Sequence, residues 1–250
     1  MSILIREITA KSILSKSGIP GADYCINPYV GCSHACKYCY ASFMKKYTGH
    51  TEEWGSFVDV KINAPEILAK QLKRSTKGSI IISSVSDAYQ PAEAQYKLTR
   101  KCLEILLNHD FSIDILTKSP LVLRDLELLE KFKDIEVGIT ITTDNENIKK
   151  VFEPYAPSVE TRIDTLKKLH GNGIRTYVFI GPVLPMNPEA LCDRIKDYVD
   201  YVFIDRMNYV SKTINIYKKL HLQQWLEKGF IEGIRKRLTR GFNKKQLELC

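Results

Sequence analysis

Five short runs rich in Ile, Val, Phe and Tyr recur between segments of helical length. They are SIIISSVS (79–86), FSIDILT (111–117), IEVGITIT (135–142), RTYVFIGPV (175–183) and DYVFIDRM (200–207). Their β-branched and aromatic content predicts buried strands. Helices are predicted at 64–75, 94–109, 120–132, 159–171 and 188–198. In the fourth, Ile163, Leu166 and Leu169 share one face. Two helices begin at proline signals, NAPEILAKQL and MNPEALCDRI, where Pro suits the first turn. Strands alternating with helices imply a parallel sheet with helical crossovers. A Rossmann fold needs a Gly-rich turn after its first strand. The one Gly-rich candidate, HGNGIR (170–175), ends a helix and reads as a C-cap. The expected architecture is an α/β fold, a partial barrel of about six βα units. Working residues of such barrels sit at the C-terminal ends of the strands. That rule selects the loops SSVSD (83–87), TKSP (117–120), TITTD (140–144) and GPVLP (181–185).

A chain of 250 residues buries roughly 70–75% of its unfolded surface, so its core needs no disulfide or metal. Its seven cysteines therefore need another reason. The start of the chain lacks a basic region followed by an apolar core, so no signal peptide is expected. The longest apolar runs are too short to span a bilayer. A reducing, cytoplasmic setting is expected, with no membrane partner, and there clustered cysteines read as metal-binding or catalytic. Cys32, Cys36 and Cys39 fall within eight residues of the stretch NPYVGCSHACKYCYA. Thiolates are soft ligands for iron–sulfur clusters and zinc. A four-iron cluster ordinarily takes four cysteines; with three, one iron stays open to an outside ligand. Zinc would need Cys25 or His34 as a fourth ligand. Cys102 and Cys192 fall within helical patterns and read as core, and Cys250 as an exposed terminal thiol.

The spacing Cys32-x3-Cys36-x2-Cys39 resembles the signature of the radical SAM superfamily. INPYVGCSHACKYCYA, SDAYQPAEAQYKLTRKCLEIL, LTKSPLVLRDLELL and FEPYAPSVETRIDTLKKLHGNGI together resemble the branch related to spore photoproduct lyase, the DNA repair photolyase-like family. The likeness covers roughly 24–185. It implies a partial (β/α)6 barrel and two cofactors, a 4Fe-4S cluster on Cys32, Cys36 and Cys39 and S-adenosyl-L-methionine (SAM) on the fourth iron. Tyr38 would pack on the adenine. Ser86, Lys118 and Thr140 would hold the methionine end, a carboxylate for the ammonium and an amine for the hydroxyls. Glu153 and Arg162 would form a structural ion pair or orient the ribose. Tyr40 matches a tyrosine that relays a hydrogen atom, or it covers the cluster. One departure stands out. The family's hydrogen-donating cysteine is replaced by Ser84, and a hydroxyl O–H bond is too strong for that role.

The resemblance implies a lyase-like radical enzyme. A one-electron reductant of flavodoxin or ferredoxin type would feed the cluster, and the resulting 5′-deoxyadenosyl radical would take hydrogen from a substrate. The net charge of +8 bears on the substrate. Residues 211–250 hold ten Lys or Arg against three acids, while the first 210 hold 27 against 26. A core of 1–208 and a basic helical extension of 209–250 packed on it are expected. Trp225, Phe230 and Phe242 among those cations suit nucleic acid. Modification of a protein or peptide is the second reading. A third is an iron–sulfur electron carrier or redox sensor with Cys25 as fourth ligand.

Overall fold

The structure is a computed structural model, in which residues 3–248 are described. Its strands are β1 (Leu4–Ile8), β2 (Leu14–Lys16), β3 (Tyr24–Ile26), β4 (Tyr29–Val30), β5 (Phe57–Lys61), β6 (Ser79–Ile82), β7 (Ser112–Thr117), β8 (Ile135–Thr140), β9 (Arg175–Ile180), β10 (Tyr201–Ile204) and β11 (Leu247–Glu248). Its helices are α1 (Ala64–Leu72), α2 (Pro91–Tyr96), α3 (Leu98–Leu106), α4 (Leu126–Leu129), α5 (Glu146–Phe152), α6 (Val159–Gly171), α7 (Pro188–Ile195), α8 (Val210–Lys219) and α9 (Lys228–Arg240). The main sheet runs β11-β10-β9-β8-β7-β6-β3-β2, and only β2 is antiparallel to its neighbour. The run β3, β6, β7, β8, β9, β10 supplies the six parallel strands of an open barrel whose edges β2 and β11 do not pair. A separate sheet, β1-β5-β4, carries the chain into and out of the cysteine loop.

Period-two burial explains the barrel. On β7, Ile113 and Ile115 are buried under the helices while Ser112, Asp114 and Leu116 face inward and are half-buried. Ile80, Ile82, Val137, Ile139, Val178, Ile180, Val202 and Ile204 repeat the outer layer against Leu68, Leu103, Leu166 and Leu191. The strands are therefore not apolar on both faces, as their composition suggested. The inner face is polar and aromatic. Tyr177 lies across β8, where a Cβ on Gly138 would come within 2.2 Å of its ring. Its hydroxyl donates to Asp114 Oδ1 at 2.7 Å, and its ring stacks on Tyr201 at 4.9 Å. Burial raises the Asp114 carboxyl to about 6, the hydrogen bond from Tyr177 opposing it.

The helix expected at 94–109 breaks in two. Lys97 adopts φ 54°, and the Glu93 carboxylate accepts from the main-chain N–H groups of Thr99 (2.9 Å) and Arg100 (3.2 Å), capping α3. The segment 120–132 holds a 3-10 turn at Pro120–Asp125 before the short α4, because Ser119 Oγ accepts from Leu121 N–H at 3.2 Å and starts a tight turn. HGNGIR caps α6 as expected, with Gly173 at φ 76°. Cys102 and Cys192 are buried core residues; Cys250 lies outside the described residues. Arg237 pairs α9 with Glu189 of α7, and Cys192 donates to the Leu238 carbonyl at 3.5 Å. The segment from 210 onward buries Trp225 and Phe242, so only Phe230 of the three rings read as nucleic-acid contacts is exposed. Packing against the core claimed the other two. No helix among the described residues is long and apolar enough to cross a membrane.

Candidate cofactor site at the strand tips

The cysteine loop leaves β4 through Gly31, whose φ of 87° suits glycine. A Cβ there would lie 2.4 Å from the Phe57 carbonyl. Gln90, fully buried, grips the loop from both sides of its amide. Its oxygen accepts from Ser33 N–H at 3.0 Å and its nitrogen donates to the Gly31 carbonyl at 3.0 Å. Lys37 N–H reaches the Phe152 carbonyl at 2.8 Å, which ties the loop to the end of α5. From α8, Lys212 donates to the Cys39 carbonyl at 2.5 Å and to the Ser42 hydroxyl.

This loop roofs a cavity of about 280 Å³ at the C-terminal ends of the strands. Cys32, Cys36, Cys39, Tyr38, Tyr40, Ser86, Lys118 and Thr140 all line it. The structure thus gathers the three thiols and the five residues expected beside them into one wall system, while Glu153, Arg162 and Cys25 lie outside the lining. Tyr38 donates its hydroxyl to Glu153, and Lys118 Nζ stands 5.9 Å from the Tyr38 ring centre. Thr140 ends β8, and its carbonyl accepts from Arg162 at 3.1 Å. Ser84 also lines the cavity; its Oγ accepts from Asn27 at 3.1 Å, and its carbonyl accepts from the Tyr40 hydroxyl. Cys25 sits on β3 outside the lining, with its sulfur 3.6 Å from the same Asn27 amide.

Burial pushes the Cys36 thiol up to about 12, and raises the Cys32 thiol as well, with Asp87 adding to it. Such thiols stay protonated at neutral pH unless a cation displaces the proton, as metal binding does. Two hydroxyls of the lining, Ser83 Oγ and Ser86 Oγ, are buried without a hydrogen-bond partner. Soft sulfurs beside unpaired hydroxyls and a lysine fit an iron–sulfur group with a polar cofactor next to it. Glu153 and Arg162 form a fully buried ion pair. Burial opposes the charge on Glu153, but Arg162, Lys118 and the Tyr38 hydroxyl outweigh it and lower the carboxyl to about 2. Asp87 is likewise held below the usual carboxylate range. Burial works against it; His34 at 3.2 Å, the Thr117 hydroxyl at 2.6 Å and Lys118 N–H at 2.9 Å prevail.

Sequence reading passed over Gln90 and Asn27. The available signal was a polar residue just before Pro91, at a helix start beside the cysteine loop. Asp87 stood in a loop selected for its position, but its clamp on residues 117 and 118 needs the folded strand order to be seen.

A partial parallel barrel with three cysteines and a cofactor-sized cavity at its strand tips defines a class of SAM-using radical enzymes. The Radical SAM superfamily sequence model matches residues 26–198, and the chain belongs to that family. It is a radical SAM enzyme, and membership implies SAM and an iron–sulfur cluster. A protein of Methanocaldococcus jannaschii, itself uncharacterized, is 45% identical over 208 residues, 82% of this chain and 78% of the relative. A spore photoproduct lyase variant with bound AdoMet and dinucleoside spore photoproduct shares the fold, with a TM-score of 0.65 at 16% identity over 98% of this chain and 68% of that one. Streptococcus suis SuiB bound to its precursor peptide gives a TM-score of 0.52 at 13% identity, over 96% of this chain and 48% of SuiB. The chain spans about half the length of that peptide-binding structure.

Proposed function

We propose that Cys32, Cys36 and Cys39 hold a 4Fe-4S cluster and that the adjoining cavity binds SAM. The carrying observation is the convergence of the three thiols, Tyr38, Ser86, Lys118 and Thr140 on one cavity. Cys32, Cys36 and Cys39 would hold the cluster, which would supply one-electron reduction of SAM to methionine and a 5′-deoxyadenosyl radical. The chain's own residues bind, orient and exclude water. Lys118 presents its ammonium to the SAM carboxylate, and the Ser86 and Thr140 hydroxyls serve the amine. Tyr38, fixed by Glu153, offers its ring to the adenine. Gln90 and Lys212 hold the loop in register. Cys25, off the cavity wall, serves poorly as a fourth ligand, which weighs against an electron carrier.

The substrate in this reading is nucleic acid. Spore photoproduct lyase, whose fold this chain shares, has been seen with a dinucleoside photoproduct. Repair by that enzyme's own route does not belong to this reading, because the sequence resemblance aligns Ser84 with the hydrogen-donating cysteine. Tyr40, hydrogen-bonded to Ser84, stands where it can pass a hydrogen atom. A flavodoxin- or ferredoxin-type donor in a reducing cytoplasm supplies the electron. Residues 1–208 form the catalytic barrel and 209–250 a basic extension. Anaerobic reconstitution with dithionite and SAM should yield 5′-deoxyadenosine; none formed by a protein with a full iron complement overturns the reading. Deuterium exchange between the adenosyl group and DNA, RNA or protein fractions identifies the substrate class.

A further inference from the structure

Four of the six exposed Phe, Tyr and Trp side chains among the described residues lie on two segments that border the cavity. They are Tyr40, Phe43 and Tyr47 on one 3-10 segment, 43–68% exposed, and Tyr209 just after β10, 45% exposed. Tyr40 stacks on Tyr209 with centroids 6.4 Å apart and 21° between planes, and Phe43 lies 6.5 Å from Tyr40. Exposed rings gathered this way mark an interaction surface.

The segment that carries three of them is basic. Residues 37–48 contain Lys37, Lys45 and Lys46 and no acid. Lys46 lies 4.7 Å from the Tyr47 ring centre and Lys212 lies 5.2 Å from that of Tyr209. Arg206, exposed, lines both the main cavity and a second one beside Lys228 and Arg235. The second cavity thus carries three cations, Arg206, Lys228 and Arg235, against one acid, Glu232.

The rings are also held in place. Lys212 fixes the start of their segment through Cys39 and Ser42. At its far end, Arg6 donates to the Thr48 carbonyl at 2.9 Å. His50 follows, bonded to Asp59 at 2.8 Å and to Glu52 at 2.9 Å, and its ring stacks on Phe57 at 3.9 Å. An array fixed at both ends loses little freedom on binding.

We propose that this rim is a stacking platform for unpaired bases of single-stranded nucleic acid, which delivers one nucleotide to the cavity below. The proposal rests on the nucleic-acid reading above and specifies its strandedness. Flat rings with cations between them suit bases and phosphates together. Bases in a duplex already stack on one another and cannot use exposed rings. A peptide would use the lysines if acidic, but would leave the rings without flat partners.

The test uses the anaerobically reconstituted full chain and three labelled probes: a short oligothymidylate, the matching duplex, and an oligoglutamate of equal charge. Fluorescence polarisation should show the single strand bound at least about tenfold more tightly than either other probe. Phe43→Leu and Tyr47→Leu should each weaken it about tenfold, while Phe43→Trp keeps the affinity and has its indole emission quenched by the bases. Equal binding of single strand and oligoglutamate overturns the platform. So does unchanged affinity in the Leu variants when their iron content and melting match the parent. Deuterium exchange separates the two failures. Exchange with nucleic acid but unchanged binding in the Leu variants removes the platform alone; no exchange with any nucleic acid removes the reading beneath it.

Discussion

The Lys212 ammonium hydrogen-bonds the main-chain carbonyl of Cys39 at 2.5 Å, joining residues 173 positions apart. The contact puts a positive charge from α8 beside the cysteine loop. Positive charge and hydrogen bonding near a cluster favour its reduced state. Lys212→Met should therefore lower the cluster's midpoint potential, by an amount on the order of tens of millivolts for a partly screened charge. Redox titration followed by electron paramagnetic resonance reads it. An unchanged potential would show the contact to be mechanical only.

Gln90 is the loop's main-chain anchor. Gln90→Leu strands the Ser33 N–H and the Gly31 carbonyl in a buried setting, at about 1–3 kcal/mol each. Urea unfolding should report a loss of roughly that size. Iron retained after desalting should fall as well, because the thiols lose their register.

Cysteine replacements divide cleanly. Cys32→Ala, Cys36→Ala and Cys39→Ala should each abolish stable cluster binding. Cys25→Ala should keep about four iron per chain, since its thiol lies off the cavity wall. Iron and sulfide assays decide, and loss of the cluster in Cys25→Ala would restore the carrier reading.

Arg162 and Glu153 are only 1% and 0% exposed. Removing one partner of a buried pair costs about 3–5 kcal/mol, because the other charge is left alone. Arg162→Met should show that loss in equilibrium unfolding. Glu153→Leu combined with Arg162→Met should cost clearly less than the two singles added, since neither charge remains. Additive effects would mean that the two residues act separately.

Asp114 gives the barrel interior a pH signature. Its folded value of about 6 exceeds the unfolded carboxylate value, so the fold favours the protonated form. The stability it contributes is present below about pH 4 and is lost as pH rises through about 6. Asp114→Asn should therefore flatten the stability profile between those limits. Above about pH 7 it should be the more stable protein, by up to about 3 kcal/mol. A profile parallel to that of the parent would remove Asp114 as the cause.

Much of the site was legible because chemistry fixed it locally. Three thiols in eight residues and a hydroxyl or lysine at three of the four predicted strand tips need no tertiary knowledge to be noticed. The outer isoleucines announced their strands, although the polar inner face did not show, since Asp114 and Tyr177 meet only across a register shared by three strands. β3 escaped because three residues give too little pattern. Gln90 and Lys212 act through main-chain contacts, which leave no mark in spacing. The tail's rings misled for a related reason. Trp225 and Phe242 look identical in sequence whether they face a partner or the core, and burial turned them inward.

The first and last strands of the parallel set never meet by main-chain bonding; the cysteine loop and the start of α8 are joined by the Tyr40–Tyr209 pair and the Lys212 contact. Side chains alone can part and rejoin without unzipping a ladder.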